Sequence, residues 1–157
     1  MRALVQRVVR AKVTVEGRIT GEIGPGLLVF LGVGKGDTAE ECDYLVDKIL
    51  RLRILSDSEG KMNSSLLDTE RSLLVVSQFT LFGDTRKGRR PSFDQAAPPD
   101  LARTLYERFL LRARAYPIAV EAGEFQAHMM VELVNDGPVT LLCESPIESS
   151  ARKFLTK

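Results

Sequence analysis

The 157-residue chain is 44% hydrophobic and 27% charged, which is typical of one globular domain with a substantial core. Its formal net charge is only +1, so a nucleic-acid site would have to come from a local basic patch. The longest apolar run, LLVFLGV, is too short to span a bilayer, and the N-terminus lacks the apolar segment of a signal peptide. We therefore expect a cytoplasmic protein.

The first half of the chain alternates between strand and helix patterns. ALVQRVVRAKVTVEG, with its broken alternation of valines, predicts one long strand or two paired strands. GEIGPG is typical of a turn, and LLVFLGV is typical of a buried strand. The helical spacing of GDTAEECDYLVDKILRLRI predicts a helix with Asp37 as its N-cap and Glu40 three residues on. RILSDSEGKMNSS indicates a short strand followed by a polar loop.

The second half also alternates between strand and helix patterns. SLLVVSQFTLF predicts a strand, GDTRKGRRPSFDQAAPP a long loop, and PDLARTLYERFLLRARA a helix with Leu101, Leu105 and Phe109 on one face. IAVEAG, MMVELV and VTLLCE are three further strand candidates, and residues 144–157 form a polar C-terminal tail. We expect a single α+β domain over residues 1–157, with two main helices and a mainly antiparallel, barrel-like sheet.

Conventional catalytic machinery is not evident in the sequence. His128 is the only histidine, and no nucleophile or orienting acid stands at a spacing that would support a Ser–His or Cys–His mechanism. A surface or strand-edge histidine is favoured. Cys42 and Cys143 show no metal-ligand spacing and are expected to be buried thiols in a reducing compartment. GVGKGD lacks the spacing of a phosphate loop and predicts a turn. No metal or cofactor is expected.

The end of the SLLVVSQFTLF strand carries an unusual polar group. In an extended strand, Ser77 and Phe79 would face one way, and Gln78 and Thr80 the other. The pattern fits a half-buried strand end whose polar residues face water, and it also fits a set of residues directed into a site. Pattern alone leaves both interpretations open.

The loop after this strand concentrates positive charge. Arg86, Lys87, Arg89 and Arg90 lie within five positions. Arginine side chains can bind phosphates through a planar fork of donors. The cluster therefore predicts a phosphate-binding loop, with a solvated basic loop as the alternative.

NDGPVT, residues 135–140, lies between two apolar runs. Asp-Gly at such a place is typical of a hairpin, but Pro138 cannot donate a hydrogen bond to a returning strand. A cis Gly137-Pro138 bond could direct neighbouring carbonyl oxygens the same way, so that they bind an ammonium group. Gly137 would also allow a ligand to approach the backbone. The simpler alternative is a proline that stiffens a loop.

Taken together, SQFTLFGDTRKGRRPSF and LVNDGPVT make the chain resemble the D-aminoacyl-tRNA deacylases. The likeness covers nearly the whole chain, from QRV with Arg7 through TGEIGPGLLV and GKMN to NDGPVT. Two features depart from the usual pattern. His128 stands where a small or acidic residue is expected, and the tail after Glu144 is longer than usual.

The resemblance implies a homodimer with active sites at the subunit interface, acting on the 3′ end of aminoacyl-tRNA. It implies that Gly137-Pro138 is cis, holds the substrate's α-amino group and leaves no space for an L side chain, while Arg7 and Met129 brace that loop. Since glycine has no side chain to clash, glycyl-tRNA, including glycine mischarged on tRNA(Ala), should be cleaved as well.

The resemblance also implies the chemistry. Ser77, Gln78, Phe79 and Thr80 would form the catalytic segment, and Arg86, Lys87, Arg89 and Arg90 would contact tRNA phosphates. Hydrolysis assisted by the ribose 2′-OH is preferred over attack by Thr80, because a threonine nucleophile needs an adjacent base. Two alternatives stay open. One is an RNA-binding module without catalysis, and the other is a related editing enzyme with a trans Gly-Pro bond that accepts L-alanine.

Overall fold

The computed structural model describes residues 1–146, which form eight strands, two α-helices and two short 3-10 helices. The strands are β1 Arg2–Val15, β2 Arg18–Ile23, β3 Gly26–Gly32, β4 Leu55–Ser56, β5 Met62–Ser64, β6 Ser72–Ser77, β7 Val120–Ala122 and β8 Met130–Glu144. The helices are α1 Ala39–Leu50 and α2 Pro99–Arg114, with 3-10 helices at Leu66–Asp68 and Phe79–Phe82. The predicted tail lies outside the described residues from position 147 onward.

The long strand β1 organises the main sheet. It pairs antiparallel with β2 and β3 along one edge and with β8 along the other. The sheet continues through β6 and β7, which join in parallel, to give the order β2-β1-β3-β6-β7 with β8 beside β1. The predicted α+β class with a mainly antiparallel sheet is confirmed, and β6 and β7 are its parallel part.

The sheet curls until its two ends nearly meet. A Cβ atom added to Gly21 in β2 would lie 2.6 Å from the carbonyl oxygen of Ala122 in β7, although these strands end the sheet order. A core that includes Val13, Leu28 and Leu74 fills the inside of this curve. The barrel-like prediction is therefore confirmed.

The helices cover the opposite face of the sheet. Leu45 and Ile49 of α1 and Leu105 and Phe109 of α2 are buried in one core with β3 and β6, as their helical spacing predicts. The prediction of the α1 N-cap is wrong by one residue. Thr38 is the N-cap, and its backbone N–H donates to the Glu41 carboxylate at 2.6 Å.

Two strands are longer than a pattern of separate elements suggests. The valine-rich first segment is one strand, and MMVELV and VTLLCE are the two halves of β8. The β1–β8 pairing shifts register between Gln6 and Val8 and again between Val8 and Arg10, so NDGPVT is an irregularity within a continuing strand. It does not close a hairpin.

The thiol prediction is confirmed for Cys42, which is buried, while Cys143 is only partly buried. Burial raises the pKa of the Cys42 thiol to about 12, and its Sγ contacts the Leu105 carbonyl oxygen at 3.3 Å. Within residues 1–146, no helix has the length and apolar character needed to cross a membrane.

Candidate active site

The polar segment after β6 leaves the sheet earlier than predicted. β6 ends at Ser77, the Gln78 N–H still donates to the Leu31 carbonyl at 2.8 Å, and Phe79–Phe82 then forms a 3-10 helix. The predicted strand alternation of Phe79 and Thr80 is therefore wrong. The turn exposes the Phe79 ring, which is 57% accessible.

Two glycines at the end of β3 create the space that this 3-10 helix occupies. A Cβ on Gly32 would lie 2.9 Å from the Gln78 carbonyl oxygen, and a Cβ on Gly34 would lie 2.6 Å from the Phe82 ring. Both distances are shorter than real Cβ contacts. The GVGKGD segment predicted only a turn, but its first two glycines determine how closely the 3-10 helix can approach the sheet.

Arg2 holds the other end of the 3-10 helix. Its guanidinium donates to the Leu81 carbonyl at 2.9 Å, lies over the Phe82 ring at 4.7 Å, and pairs with Glu144 at 2.8 Å. A cation at the carbonyl end of a helical turn satisfies acceptors that have no partner within the helix. Sequence reasoning gave Arg2 no role, because its partners come from distant parts of the chain.

The segment borders an open, largely apolar pocket of about 630 Å³. Aromatic rings stand on both sides of it. Phe79 meets Phe93 edge-on with 5.1 Å between ring centroids, and Phe125 lies 5.6 Å from Tyr106 on the other side. Polar groups are few, and Ser77 and Gln78 supply two of them. Such a pocket suits a flat, partly polar ring system.

His128 and Met129 line the opposite wall of the same pocket. His128 is exposed, as predicted for a surface histidine, and its ring makes no hydrogen bond to Ser77 or Thr80 within the described residues. Met129 places its sulfur against Gly123, where an added Cβ would lie only 2.7 Å away. The structure thus brings both residues to the pocket without forming a nucleophile–base pair.

Thr80 is hydrogen-bonded to a neighbour in its own segment. The Gln78 side-chain amide donates to the Thr80 hydroxyl oxygen, which uses one of that oxygen's lone pairs. Among residues 1–146, no carboxylate or imidazole forms a hydrogen bond with this hydroxyl. The arrangement orients Thr80 but does not activate it for attack.

The basic loop contains one cation that is already paired. Arg86 forms a two-pronged pair with Asp84, at 2.9 and 2.7 Å, and Asp84 pairs through its backbone with Ser92. The Arg86 hydrogen bonds hold the pKa of the Asp84 carboxyl well below its usual range. Lys87 and Arg90 are exposed. Arg86 therefore braces the loop that presents its neighbours.

The NDGPVT irregularity is held by a nearly buried arginine. Arg7 donates from Nε to the Asp136 carbonyl at 3.1 Å and from Nη1 to the Ile54 carbonyl at 2.9 Å. Gly137 has φ +130, a conformation that L side chains rarely adopt, and the Gly137-Pro138 bond is cis. Arg7 therefore contacts the loop as the bracing role requires.

Asn135 completes the loop. Its side-chain oxygen accepts a hydrogen bond from the Val139 N–H at 2.9 Å, and its side-chain amide donates to the Val139 carbonyl at 3.2 Å. These two bonds replace the strand pairing that the irregularity interrupts. Sequence reasoning quoted Asn135 without giving it a role. The local signal was its position three residues before a proline, in a segment where both strand halves were expected to end.

The two candidate motifs do not meet within one protomer. Arg7, next to Gly137, pairs with Leu27 of β3, whereas Ser77 pairs with Leu31 of the same strand. Four residues of strand separate these positions by about 13 Å, and two further strand spacings separate β1 from β6. Neither Gly137 nor Pro138 lines the pocket beside Ser77.

Comparison with known proteins identifies the group to which this architecture belongs. The family model described as D-Tyr-tRNA(Tyr) deacylase matches residues 4–144. The chain belongs to this family. It is 61% identical to the D-aminoacyl-tRNA deacylase of Thermosipho africanus over 145 residues. The aligned region covers 92% of this chain and 97% of that protein. The Heliobacterium modesticaldum D-aminoacyl-tRNA deacylase is 58% identical over 144 residues, with coverage of 92% and 96%.

Two solved structures share this fold. The c-Myc DNA unwinding element binding protein superposes with a TM-score of 0.86 at 44% identity, covering 93% of this chain and 99% of that one. A probable eukaryotic D-amino acid tRNA deacylase gives a TM-score of 0.77 at 22% identity, with coverage of 91% and 98%, and this supports the fold alone.

The two glycines under the 3-10 helix can be tested directly. In Gly34→Ala, the added methyl group would displace Phe82, so amides of residues 79–83 should exchange hydrogen for deuterium faster than in the parent protein. Gly24→Ala is the matched control, since nothing lies within 4 Å of its Cβ position. Equal exchange in the Gly34→Ala and parent proteins would contradict a spacing role for Gly34.

Proposed function

We propose that the protein hydrolyses the ester bond of D-aminoacyl-tRNA to release the D-amino acid and tRNA. We expect the protein to hydrolyse glycyl-tRNA in the same way, including glycine mischarged on tRNA(Ala). The observation that carries this proposal is the Ser77–Thr80 segment, which turns out of β6 at the edge of an aromatic pocket in a member of the deacylase family.

The pocket supports binding of the terminal nucleoside of tRNA. Aromatic side chains provide stacking surfaces for a base, and each stacked base contributes about 1–3 kcal/mol in nucleic-acid complexes. Phe79, Phe93 and Phe125 offer such surfaces, while Ser77 and Gln78 offer hydrogen bonds at the rim. A nucleoside held there would bring its ribose ester to the 3-10 helix.

The chemistry follows from what the 3-10 helix presents. The first amides of a helix have no acceptor within it, so the N–H groups of Phe79 and Thr80 can stabilise the oxyanion formed when water attacks the ester. Within residues 1–146 no carboxylate or imidazole forms a hydrogen bond with Thr80, and its oxygen already accepts a hydrogen bond from Gln78. The substrate's own 2′-OH is the better candidate to assist the water. The protein then contributes mainly position and oxyanion stabilisation.

Selection of the D-amino acid is assigned to Gly137 and Pro138. Arg7 and Asn135 fix this loop through three hydrogen bonds to backbone atoms of Asp136 and Val139, so its main-chain carbonyls have defined directions. Carbonyl oxygens can accept from the substrate's α-ammonium group and leave no volume on the side that an L side chain would need. Selection by main-chain atoms makes no contact with the D side chain, which can therefore vary.

This selection requires two copies of the chain, because Gly137 and Ser77 are separated within one protomer. β8 supports a dimer, since within residues 1–146 it pairs with β1 alone, along one edge, and it carries exposed apolar side chains. Four of these are Met130, Val134, Leu141 and Leu142. We infer that β8 of one protomer packs against its partner and carries each Gly137-Pro138 loop into the other active site, with Met129 beside it.

The basic loop supports binding of the acceptor end of tRNA. Lys87, Arg89 and Arg90 are exposed beside the helix that carries Phe79 and have no ion pair in the part of the chain that the structure describes. Phosphate contacts of this kind are independent of sequence and sensitive to salt. Arg86 acts differently, since it fixes the loop through Asp84.

The substrate prediction compares matched esters. The purified protein should hydrolyse D-tyrosyl- and glycyl-tRNA and leave L-tyrosyl-tRNA intact, and Thr80→Ala should retain activity within about tenfold, because the hydroxyl is not the nucleophile. Release of labelled amino acid measures each rate. A folded but inactive Thr80→Ala would indicate that Thr80 is the nucleophile. Preference for L-alanyl-tRNA would favour the related editing activity. Binding of tRNA without cleavage of any ester would favour an RNA-binding module.

The basic loop makes a salt-dependence prediction. Replacing Lys87, Arg89 or Arg90 with alanine should weaken tRNA binding and lower the slope of log K against log salt by about 0.7 for each lost phosphate contact. Filter binding at several salt concentrations measures the slope. Lys48→Ala is the matched control, since it removes an exposed cation of α1 and leaves the loop unchanged. An unchanged slope in all three cationic variants would exclude the loop from the tRNA contact.

The dimer prediction uses two exposed leucines. Leu142→Arg should convert the protein to monomers and abolish D-aminoacyl ester hydrolysis, because the loop would no longer reach its partner's site. Leu142 is 55% exposed on β8, and Leu111, which is 71% exposed on α2, supplies the control Leu111→Arg. Sedimentation velocity reports the oligomeric state. An active monomer would show that one protomer contains a complete site.

A further inference from the structure

One wall of the pocket is a connection without helix or strand. Residues 123–129, here called the pocket wall, join β7 to β8 and include Phe125, Gln126 and Met129 of the pocket lining. At its start the Gly123 N–H donates to the Val75 carbonyl at 2.9 Å, and at its end β8 begins. The two ends are therefore fixed by the sheet, whereas the middle needs other contacts.

The middle of the wall has few backbone restraints. A single turn closes it, in which the Ala127 N–H donates to the Glu124 carbonyl at 3.2 Å. Gln126 has φ +64, which is uncommon for a residue with a side chain. A backbone in this conformation persists only where surrounding contacts hold it.

Arg103 of α2 supplies such contacts at two adjacent wall residues. Its guanidinium donates from Nη2 to the Gln126 side-chain oxygen at 2.9 Å, and its Cζ atom lies 4.6 Å from the centroid of the Phe125 ring. Only a planar guanidinium can stack on a ring through its face while donating through its edge. Arg103 itself does not line the pocket.

Tyr106, one turn further along α2, supports the same ring from the buried side. It lies 5.6 Å from Phe125, and its hydroxyl donates to the Val75 carbonyl at 3.0 Å. Phe125 is thus held between a buried tyrosine and an exposed arginine of one helix. The tyrosine is part of the core, and the arginine is the contact that can be removed without opening the core.

We propose that Arg103 is a positioning residue that holds Phe125 and Gln126 where they receive the terminal nucleoside of the RNA substrate. This inference rests on the proposed function of the pocket. Arg103 touches neither the 3-10 helix nor the ester, so its loss weakens substrate binding and leaves the chemical step unchanged. The expected signature is a higher KM with an unchanged kcat.

The test uses three variants of the full chain. Arg103→Ala removes both contacts, Arg103→Lys keeps a cation over the ring but loses the planar fork, and Gln126→Gly removes the acceptor at a φ that glycine adopts readily. Arg112→Ala is the matched control, because Arg112 lies on the same helix and pairs with Asp43 instead. Two measurements are made on each protein, steady-state hydrolysis of D-tyrosyl-tRNA and the Kd of a CCA trinucleotide.

For Arg103→Ala, KM and the trinucleotide Kd should both rise about five- to tenfold, which is the effect of losing about one ordinary hydrogen bond. We expect kcat to stay within about twofold, Arg103→Lys to give a smaller rise, and Arg112→Ala to match the parent. In the double variant Arg103→Ala/Gln126→Gly, the rise in Kd should be smaller than the product of the two single-variant rises, because both changes break the same contact.

Two results would overturn the inference. One is a Kd and KM that match the parent in both Arg103 variants, and the other is a fall in kcat at constant KM. If the parent protein hydrolyses no ester, the proposed function fails, and the trinucleotide Kd still decides the role of Arg103. If Arg103→Ala does not fold, Arg103→Lys and Gln126→Gly provide the same comparison.

Discussion

The structure depends on the sharing of one strand. β1 pairs with β2 and β3 along one edge and with β8 along the other, so it links the curled sheet to the strand that carries Gly137. Arg2 near its start contacts the 3-10 helix, and Arg7 near its middle contacts the Gly-Pro loop. A single rigid strand therefore sets the positions of both candidate motifs. A one-residue slip in its register would move each arginine to the opposite face of the sheet.

Arg7 shows why the loop has one conformation. A guanidinium that is almost fully removed from water is costly unless acceptors surround it. The Asp136 and Ile54 carbonyls and the Asp136 carboxylate meet this need, and two of these three acceptors belong to the loop residue next to Gly137. The loop and the arginine thus stabilise each other, since either one alone would leave buried polar groups without partners.

The sequence predicts most of the fold because its periodic patterns are strong. Both helices, the buried strands and the single long N-terminal strand agree with their patterns. The errors occur where tertiary contacts override a local pattern. β6 stops at Ser77 because Gly32 and Gly34 leave room for a 3-10 helix against β3. β8 continues past Pro138 because Asn135 replaces the missing strand hydrogen bonds. No local pattern contains these partners.

The residues of the candidate site likewise divide into those that the sequence reveals and those that only the fold brings together. The motif residues could be named from the sequence through resemblance, whereas Arg2, Arg103 and Asn135 could not. Each of these contacts a backbone carbonyl, an aromatic ring or a neighbouring amide. No sequence motif of fixed spacing identifies such partners. The basic loop lies between these two cases. Its four cations are evident in the sequence, but only the structure shows that Arg86 is paired with Asp84.

A site built in this way has a consequence for how substrate selection and chemistry are divided. In the proposed function, amides of the 3-10 helix and carbonyls of the Gly-Pro loop contact the substrate, and the side chains around them mainly hold this backbone in place. Backbone groups cannot titrate near neutral pH and do not depend on the identity of a side chain. Selection by such groups reads the configuration at the α-carbon and ignores what is attached beyond it. Under the proposed function, a pair of small domains would thereby accept many D side chains while excluding their L counterparts.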